Sequence, residues 1–199
     1  DYVIVTASEL KADETATLDR VEAYFNKYPL FIKPANEGSS VGISKVHDRA
    51  ELGRGLAEAA GYDEKILVEE TIVGREIETA VLGNDNPEVA KIGEIFSCNE
   101  FYDYEAKYAN IGSRTGIIDD ISPELEQQIK ETAVRVFKAM GCKGMSRIDF
   151  FLTEDNRIIL NELNTLPGFT SISMYPKMWE AAGVPYPQLL DRLIALAME

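Results

Sequence analysis

Two strand-like segments joined by a short turn constrain the fold of this chain more than any other feature of the sequence. "MSRIDFFL" and "RIILNEL" flank the turn residues "TEDN", and this pattern predicts an antiparallel β-hairpin. If Thr153 lies opposite Asn156, then Arg147 faces Glu162 across the two strands. Side chains alternate between the two faces of a strand, so a register slip of two residues would leave the same residues on each face.

One face of this predicted hairpin is polar and suits the binding of a divalent cation and a phosphate. By parity, the polar face carries Arg147, Asp149, Glu162 and Asn164. The opposite face carries the predicted core residues Phe150, Leu152, Ile159 and Leu163. Carboxylate and amide oxygens are ligands that Mg²⁺ prefers, Glu162 could bridge two ions, and Arg147 could donate to a phosphate or a developing oxyanion. A solvent-exposed strand face with a cross-strand ion pair would explain these residues about equally well.

Helix-like and strand-like segments alternate along the whole chain, which indicates an α/β or α+β fold. "REIETAVLG" and "EVAKIGEIF" predict a second hairpin around "GNDNP", and "EFYDYEAKYANIGSRTG" reads as a long loop. The apolar positions of an early helix are predicted to be Leu18, Val21, Tyr24 and Phe25, and those of the last helix Leu189, Leu190, Leu193 and Ile194. We expect a boundary near Gly74, between a small α/β unit over residues 1–76 and a larger unit over 77–199, built mainly on an antiparallel sheet with flanking helices.

The composition excludes several classes of function. A net charge of −14 argues against nucleic acid as the main partner, although it leaves room for a single nucleotide. No apolar run is long enough to span a bilayer, and Cys98 and Cys142 lack metal or redox spacing, which fits a reducing cytoplasm. His47 is the only histidine, so a Ser–His or Cys–His mechanism would depend on it entirely.

Three further segments could contact a nucleotide, and each also has an ordinary structural explanation. In "FIKPANEGSSVGIS", Lys33 ends a strand before a loop whose backbone N–H groups and serine hydroxyls could cover phosphates, although it is no Walker loop. In "ILVEETIVGREIE", Glu69 and Glu76 could accept hydrogen bonds from an adenine amine or a ribose. In "FYDYEAKYAN", Lys107 and Tyr108 lie in a loop that could close over a site. A plain connection, exposed strand ends and a surface loop are the alternatives.

The order of these features resembles the ATP-grasp superfamily. The segments "FIKPANEGSSVGISKV", "FYDYEAKY", "SRIDFF" and "NELNTLPGFTSISMYP" are similar to those of the D-alanine–D-alanine ligase family, and the likeness runs from about Tyr28 to the last helix. The resemblance implies an ATP-grasp fold and an ATP-dependent ligase that joins two D-alanine molecules through an acyl phosphate, for peptidoglycan precursors. It also implies ATP with two Mg²⁺ ions (or Mn²⁺ in their place), a cytoplasmic location, a homodimer at full length, and no nucleic-acid or membrane partner.

The resemblance assigns a role to individual residues. ATP would be contacted by Lys33, Ser39, Ser40, Glu69, Glu70, Ile72, Glu76, Phe101, Lys107 and Asn161. The metal ligands would be Asp149, Glu162 and Asn164. Arg147 and the backbone N–H of Gly168 would form an oxyanion hole. The other catalytic residues would be Ser39, Lys107 and Tyr108. The second substrate would lie beside Ser173 and Met174, with its carboxylate near Ser173.

Alternatives remain open at this point. Members of the family also carry an N-terminal domain, which supplies residues around the first D-alanine and a further ATP-contacting lysine, so a chain that begins at Asp1 is expected to be inactive or very weak by itself. A related ligase with D-lactate or D-serine as acceptor, or a non-catalytic nucleotide-binding module, would share most of these motifs, although Tyr108 resembles the residue that accompanies an amine acceptor. For the ligase, Glu162→Gln or Arg147→Ala is expected to abolish turnover with little loss of fold.

Overall fold

The computed structural model describes residues 1–38, 40–96 and 114–199, and these divide into two compact units. The described part of the first unit ends at Ile72, and the second unit begins at Val73. The expected boundary after residue 76 therefore falls inside the first strand of the second unit. Within the described ranges, no helix is long and apolar enough to cross a membrane.

The first unit is an antiparallel sheet of four strands with helices packed against it. The strand order is β1-β4-β2-β3. The strands are β1 (Tyr2–Thr6), β2 (Leu30–Pro34), β3 (Ser44–Val46) and β4 (Lys65–Glu70). The helices are α1 (Ala7–Ala12), α2 (Glu14–Phe25) and α3 (Arg49–Ala59). Alternate residues of β2 and β4 face a core that α2 and α3 complete, as the period of two in a strand requires.

The helices of this unit follow the sequence signals with one difference. In α2, Leu18, Val21 and Phe25 are buried as predicted, whereas Tyr24 is exposed and was predicted wrongly. The apolar stripe of a helix covers only part of its circumference, and Tyr24 lies at the edge of the stripe that Leu18, Val21 and Phe25 form. Helix α3 begins at the Asp48 cap, whose carboxylate accepts a hydrogen bond from the backbone N–H of Glu51 at 2.9 Å.

The second unit is an antiparallel sheet of five strands in the order β7-β6-β5-β8-β9. The strands are β5 (Arg75–Gly83), β6 (Glu88–Phe96), β7 (Arg114–Ile117), β8 (Gly144–Leu152) and β9 (Ile158–Asn164). The helices are α4 (Pro123–Ala139), α5 (Met174–Ala181) and α6 (Tyr186–Ala197). The hairpin of β5 and β6 is confirmed. Residues 114–116, predicted as the end of a long loop, instead begin β7, because they complete hydrogen bonds along the edge of β6.

Helices cover both faces of this sheet. Helix α4 starts at the Ser122 cap, with Pro123 at its first position, and packs on the face that carries Ile77 and Phe150. Helices α5 and α6 pack on the opposite face, against Ala80 and Leu82 at the end of β5. In α6, Leu189 and Leu193 contact this core as predicted, but Leu190 and Ile194 are exposed. One side of a short terminal helix is enough to cover the sheet there.

The β8–β9 hairpin forms, but its register differs from the predicted one. Arg147 lies opposite Asn164 and not opposite Glu162. The last paired residues before the turn are Leu152 and Ile158, so the connection is one residue longer than the assumed turn. A register shift between Asp149 and Phe150 moves the pairing by one more residue. The observed register beyond it therefore differs from the predicted one by two residues.

The extra residue in β9 is Asn161, which lies between Leu160, opposite Phe150, and Glu162, opposite Asp149. The longer turn exchanged the two faces of β9 relative to the prediction, and this bulge exchanges them back for the residues beyond it. Beyond the bulge, the predicted polar face is therefore kept. Before the bulge, Ile158 packs against the core and Ile159 pairs with Phe151, so the assignment of Ile159 to the core face was wrong.

Candidate active site

Three neighbouring strands of the second unit bring their carboxylates together on one face of the sheet. Glu78 in β5 lies opposite Asp149 in β8, and Asp149 lies opposite Glu162 in β9. One step along the hairpin, Arg147 and Asn164 form the next pair on the same face. The predicted grouping of Arg147, Asp149, Glu162 and Asn164 is confirmed as a spatial cluster, and Glu78 joins it.

Arg147 is the centre of the hydrogen bonds in this cluster. Its Nε and Nη2 donate to the two carboxylate oxygens of Asp149 at 2.8 and 2.7 Å. The same Nε lies 3.1 Å from Oε1 of Glu78, and Nη2 lies 3.7 Å from Oε1 of Glu162. Asn164 donates from Nδ2 to Glu162 at 3.1 Å and to Asp149 at 3.3 Å. Within the described ranges these contacts use only Nε and Nη2 of Arg147, which leaves Nη1 as a donor for a bound anion.

The cluster holds more negative than positive charge in a buried setting. Glu78 and Asp149 are each 3% exposed. Burial raises the pKa of the Glu78 carboxyl well above its ordinary value, the Asp149 carboxylate raises it further, and Arg147 acts in the opposite direction. Burial likewise raises the pKa of Asp149 against the lowering effect of Arg147. Ionisation of all three carboxyls around one guanidinium would leave an excess of negative charge that a cation would offset.

The oxygens of Asp149, Glu162 and Asn164 fit an Mg²⁺ ion whose remaining ligands come from a substrate. They do not form a metal site that the protein encloses completely. No group of three or more His, Cys, Asp or Glu residues is placed to hold a metal in the described ranges. Mg²⁺ typically takes one or two protein carboxylates and fills its remaining positions with phosphate oxygens and water. Asp149 is buried, whereas the Glu162 side chain is 55% exposed, so Glu162 can reach a ligand in solvent.

The segment after β9 brings Gly168 close to Ser173. A Cβ at Gly168 would lie 2.8 Å from Oγ of Ser173, so the close approach favours glycine here. Ser173 precedes α5, yet its hydroxyl makes no cap hydrogen bond to that helix, whose third residue, Pro176, has no N–H to donate. The hydroxyl instead accepts from the N–H of Thr170 at 3.0 Å and lies 2.9 Å from the Thr170 hydroxyl.

Met174, predicted as a substrate contact, is buried in the core between α5 and the sheet. Its terminal methyl occupies the space beside Gly93. Gly93 lies opposite Glu78 in the β5–β6 pair. The Met174 side chain therefore forms part of the apolar surroundings of the carboxylate cluster.

The predicted nucleotide contacts of the first unit lie around the ends of β2 and β4. Nζ of Lys33 forms a 2.6 Å ion pair with Glu69, and Ser40 has a left-handed backbone with φ of 62°. Lys27 donates to Glu70 at 2.7 Å. This hydrogen bond lowers the pKa of the Glu70 carboxyl.

The remaining predicted residues are placed as follows. Ile72 is the last described residue of the first unit. Glu76 lies in β5 of the second unit, on the same face as Glu78, and Asn161 is the bulge residue of β9. The predicted positions that lie outside the described residues are Ser39, Cys98, Phe101, Lys107 and Tyr108.

A family model described as the D-ala D-ala ligase C-terminus matches residues 1–195. The chain belongs to this family. A curated D-alanine--D-alanine ligase from Clostridium acetobutylicum is 54% identical over 99% of the chain and 57% of the relative. Among solved structures, the VanG D-Ala:D-Ser ligase from Enterococcus faecalis is 41% identical with a TM-score of 0.85, over 98% of this chain and 56% of that one.

A D-alanine--D-alanine ligase from Bacillus anthracis, solved in complex with ATP, is 30% identical with a TM-score of 0.76 over 100% of this chain and 60% of that one. The shared fold confirms the ATP-grasp architecture predicted from the sequence. The chain spans about half the length of the curated relatives that it matches.

Sequence reasoning missed Glu78. A signal was present, because Glu78 follows Glu76 by two residues in "REIETAVLG" and must lie on the same face of the strand. The strand order was not readable from the sequence, however. Only the placement of β5 beside β8 brings Glu78 to Asp149.

Proposed function

We propose that this chain supplies the ATP-binding and metal-binding half of a ligase that joins two D-alanine molecules for peptidoglycan precursors. The observation that carries the proposal is the cluster of Arg147, Asp149, Glu162 and Asn164 on one sheet face, in a chain of this ligase family. Since ATP is a substrate, the reaction would take place in the cytoplasm. A homodimer of the full-length enzyme remains a prediction.

In this proposal, Asp149, Glu162 and Asn164 hold Mg²⁺, which neutralises charge on the transferring phosphoryl group when it is bound; Mn²⁺ could replace it. The charge excess of the cluster and the exposure of Glu162 support this assignment. ATP would be held by the residues that the family resemblance names: Lys33, Ser39, Ser40, Glu69, Glu70, Ile72, Glu76, Phe101, Lys107 and Asn161. The Lys33–Glu69 pair implies that ATP phosphates would have to compete with Glu69 for the lysine.

The proposed reaction has two stages. A carboxylate oxygen of the first D-alanine bonds to the γ-phosphorus of ATP as the bond to ADP breaks. The amine of the second D-alanine then adds to the acyl carbon, loses a proton and expels phosphate. The free Nη1 of Arg147 and the N–H of Gly168 would donate to the oxyanion that forms in between. Ser39, Lys107 and Tyr108 would assist from loops that exclude water.

The second D-alanine would place its carboxylate at the Ser173 hydroxyl. Both lone pairs of this oxygen can be used by Thr170, through its N–H and its hydroxyl, so the hydrogen of Ser173 is left to donate to a carboxylate. A D-serine acceptor is the second candidate, because a solved relative at 41% identity is a D-Ala:D-Ser ligase.

The test measures phosphate release and dipeptide formation with ATP, Mg²⁺ and D-alanine. The chain is assayed alone and joined to the N-terminal region that the family carries, with D-alanine, D-serine and D-lactate compared as second substrates. We expect turnover in the longer protein with D-alanine preferred, and its loss in Glu162→Gln with an unchanged unfolding transition. Mg-ATP binding without phosphate release in the longer protein would show a nucleotide-binding module instead.

A further inference from the structure

Glu78 is a buried carboxyl for which the proposed reaction has no use. It is 3% exposed in the middle of β5, and its Oε2 has no hydrogen-bond partner in the described ranges. A buried polar atom without a partner costs stability. An apolar residue at this position would avoid that cost, so the carboxyl requires an explanation other than stability.

The other oxygen of Glu78 is directed at Arg147. Oε1 lies 3.1 Å from Nε of the guanidinium and forms an ion pair with it. Asp149 also holds this guanidinium, through both of its oxygens. Asp149 is at the same time a proposed metal ligand, so Arg147 and a cation would share its oxygens. Glu78 contacts Arg147 and has no role in the proposed metal set.

The backbone around Glu78 is well suited to holding a side chain in one place. β5 is an interior strand, and Glu78 is paired on both sides, with Gly93 in β6 and Asp149 in β8. The next residue, Thr79, adds a buried hydrogen bond from its hydroxyl to the carbonyl of Ile148 in β8, at 2.9 Å. Arg147, by contrast, has a long and flexible side chain that is 24% exposed.

We propose that Glu78 is a positioning residue that forms an ion pair with the guanidinium of Arg147 and keeps Nη1 aimed at the reacting oxygen. This inference rests on the proposed ligase function. Glu78 acts through Arg147 and does not touch substrate. A guanidinium that is free to rotate about its last bonds would still bind anions, but it would lose the fixed geometry on which oxyanion stabilisation depends.

The test compares Glu78→Leu and Glu78→Gln in an active ligase that contains this chain. Leu removes the polar contact with Arg147, and Gln keeps an oxygen beside the guanidinium in a side chain of the same size. We expect Glu78→Leu to lower kcat about 100-fold, as a misplaced catalytic group does, with KM for ATP changed less than about twofold. Glu78→Gln should stay within about fivefold of the original kcat.

Glu94→Leu is the matched control. Glu94 is also a buried carboxylate on an adjacent strand, and Arg75 donates to it at 2.9 and 2.6 Å, but it has no proposed role in the reaction. We expect Glu94→Leu to lower the melting temperature and leave kcat of the folded protein unchanged. Glu78→Leu should do the reverse, with a melting temperature that is unchanged or higher because the unpartnered Oε2 is gone.

Three results would overturn the inference. A Glu78→Leu protein with normal kcat shows that Arg147 needs no such support. A Glu78→Leu protein that resembles Glu94→Leu shows a structural role. A tenfold or larger weakening of Mg²⁺-dependent ATP binding, measured by calorimetry, shows that Glu78 belongs to the metal site. If the original enzyme itself fails to turn over with any acceptor, the proposed function has failed and not this inference.

Discussion

Replacing Arg147 by alanine removes the guanidinium that Glu78 and Asp149 both contact, and the structure gives a magnitude for the consequence. Both carboxyls are buried, and Asp149 would lose three hydrogen bonds. Removing one partner of a buried ion pair costs about 3–5 kcal/mol. For a protein of this size that corresponds to a fall of about 6–20 °C in melting temperature. Arg147→Ala should thus lose stability as well as turnover, which replaces the expectation from sequence of little loss of fold.

The same loss should depend on pH with a definite sign. Burial raises the pKa of Glu78 and of Asp149 in the folded protein, so their ionised forms oppose folding. This destabilisation is absent below about pH 4, the ordinary pKa of a carboxyl in the unfolded chain. It grows as the pH rises from there through the raised pKa values of the folded protein. Without Arg147, the cluster loses the positive charge that counters it. The stability deficit of Arg147→Ala should therefore be larger at about pH 8 than at about pH 5.

Urea unfolding followed by circular dichroism, at both pH values, measures this deficit. Arg157→Ala is the control, because Arg157 lies exposed in the turn of the same hairpin, and it should change the free energy of unfolding by less than about 0.5 kcal/mol. The reasoning is refuted if Arg147→Ala matches that control, or if its deficit is the same at the two pH values.

Three further changes test the surroundings of the site. Gly168→Ala introduces a Cβ 2.8 Å from the Ser173 hydroxyl and should lower kcat/KM for the second substrate about tenfold without changing the unfolding midpoint; equal steady-state kinetics would contradict this. Tyr175→Phe deletes a buried 2.8 Å hydrogen bond to a β5 carbonyl and should cost about 1–3 kcal/mol, whereas Tyr186→Phe, which loses an exposed 3.4 Å contact, should cost less than about 0.5 kcal/mol in the same urea titration. Ser122→Ala removes the cap of α4 and should cost about 1 kcal/mol, visible as a lower melting temperature; no shift would mean that Pro123 alone starts the helix.

The sequence by itself was enough to predict the β8–β9 hairpin and the polar face of its strands. The alternation of apolar and polar residues is local, and face membership survives any register error of two residues. Arg147, Asp149, Glu162 and Asn164 could therefore be grouped although their pairing was predicted wrongly. The family motifs, being contiguous in sequence, were equally visible without a structure.

Only the tertiary structure decided the features that depend on contacts between distant segments. The longer turn moved Ile158 into the core in place of Ile159, and the bulge at Asn161 restored the predicted faces beyond it. Both follow from how two strands meet and have no local signal. The order of strands in the sheet is set by packing on both faces, and it brought Glu78 beside Asp149, residues 71 positions apart in the chain. Burial makes the ionised forms of these carboxyls unfavourable unless Arg147 lies beside them. This burial exists only once the sheet is assembled.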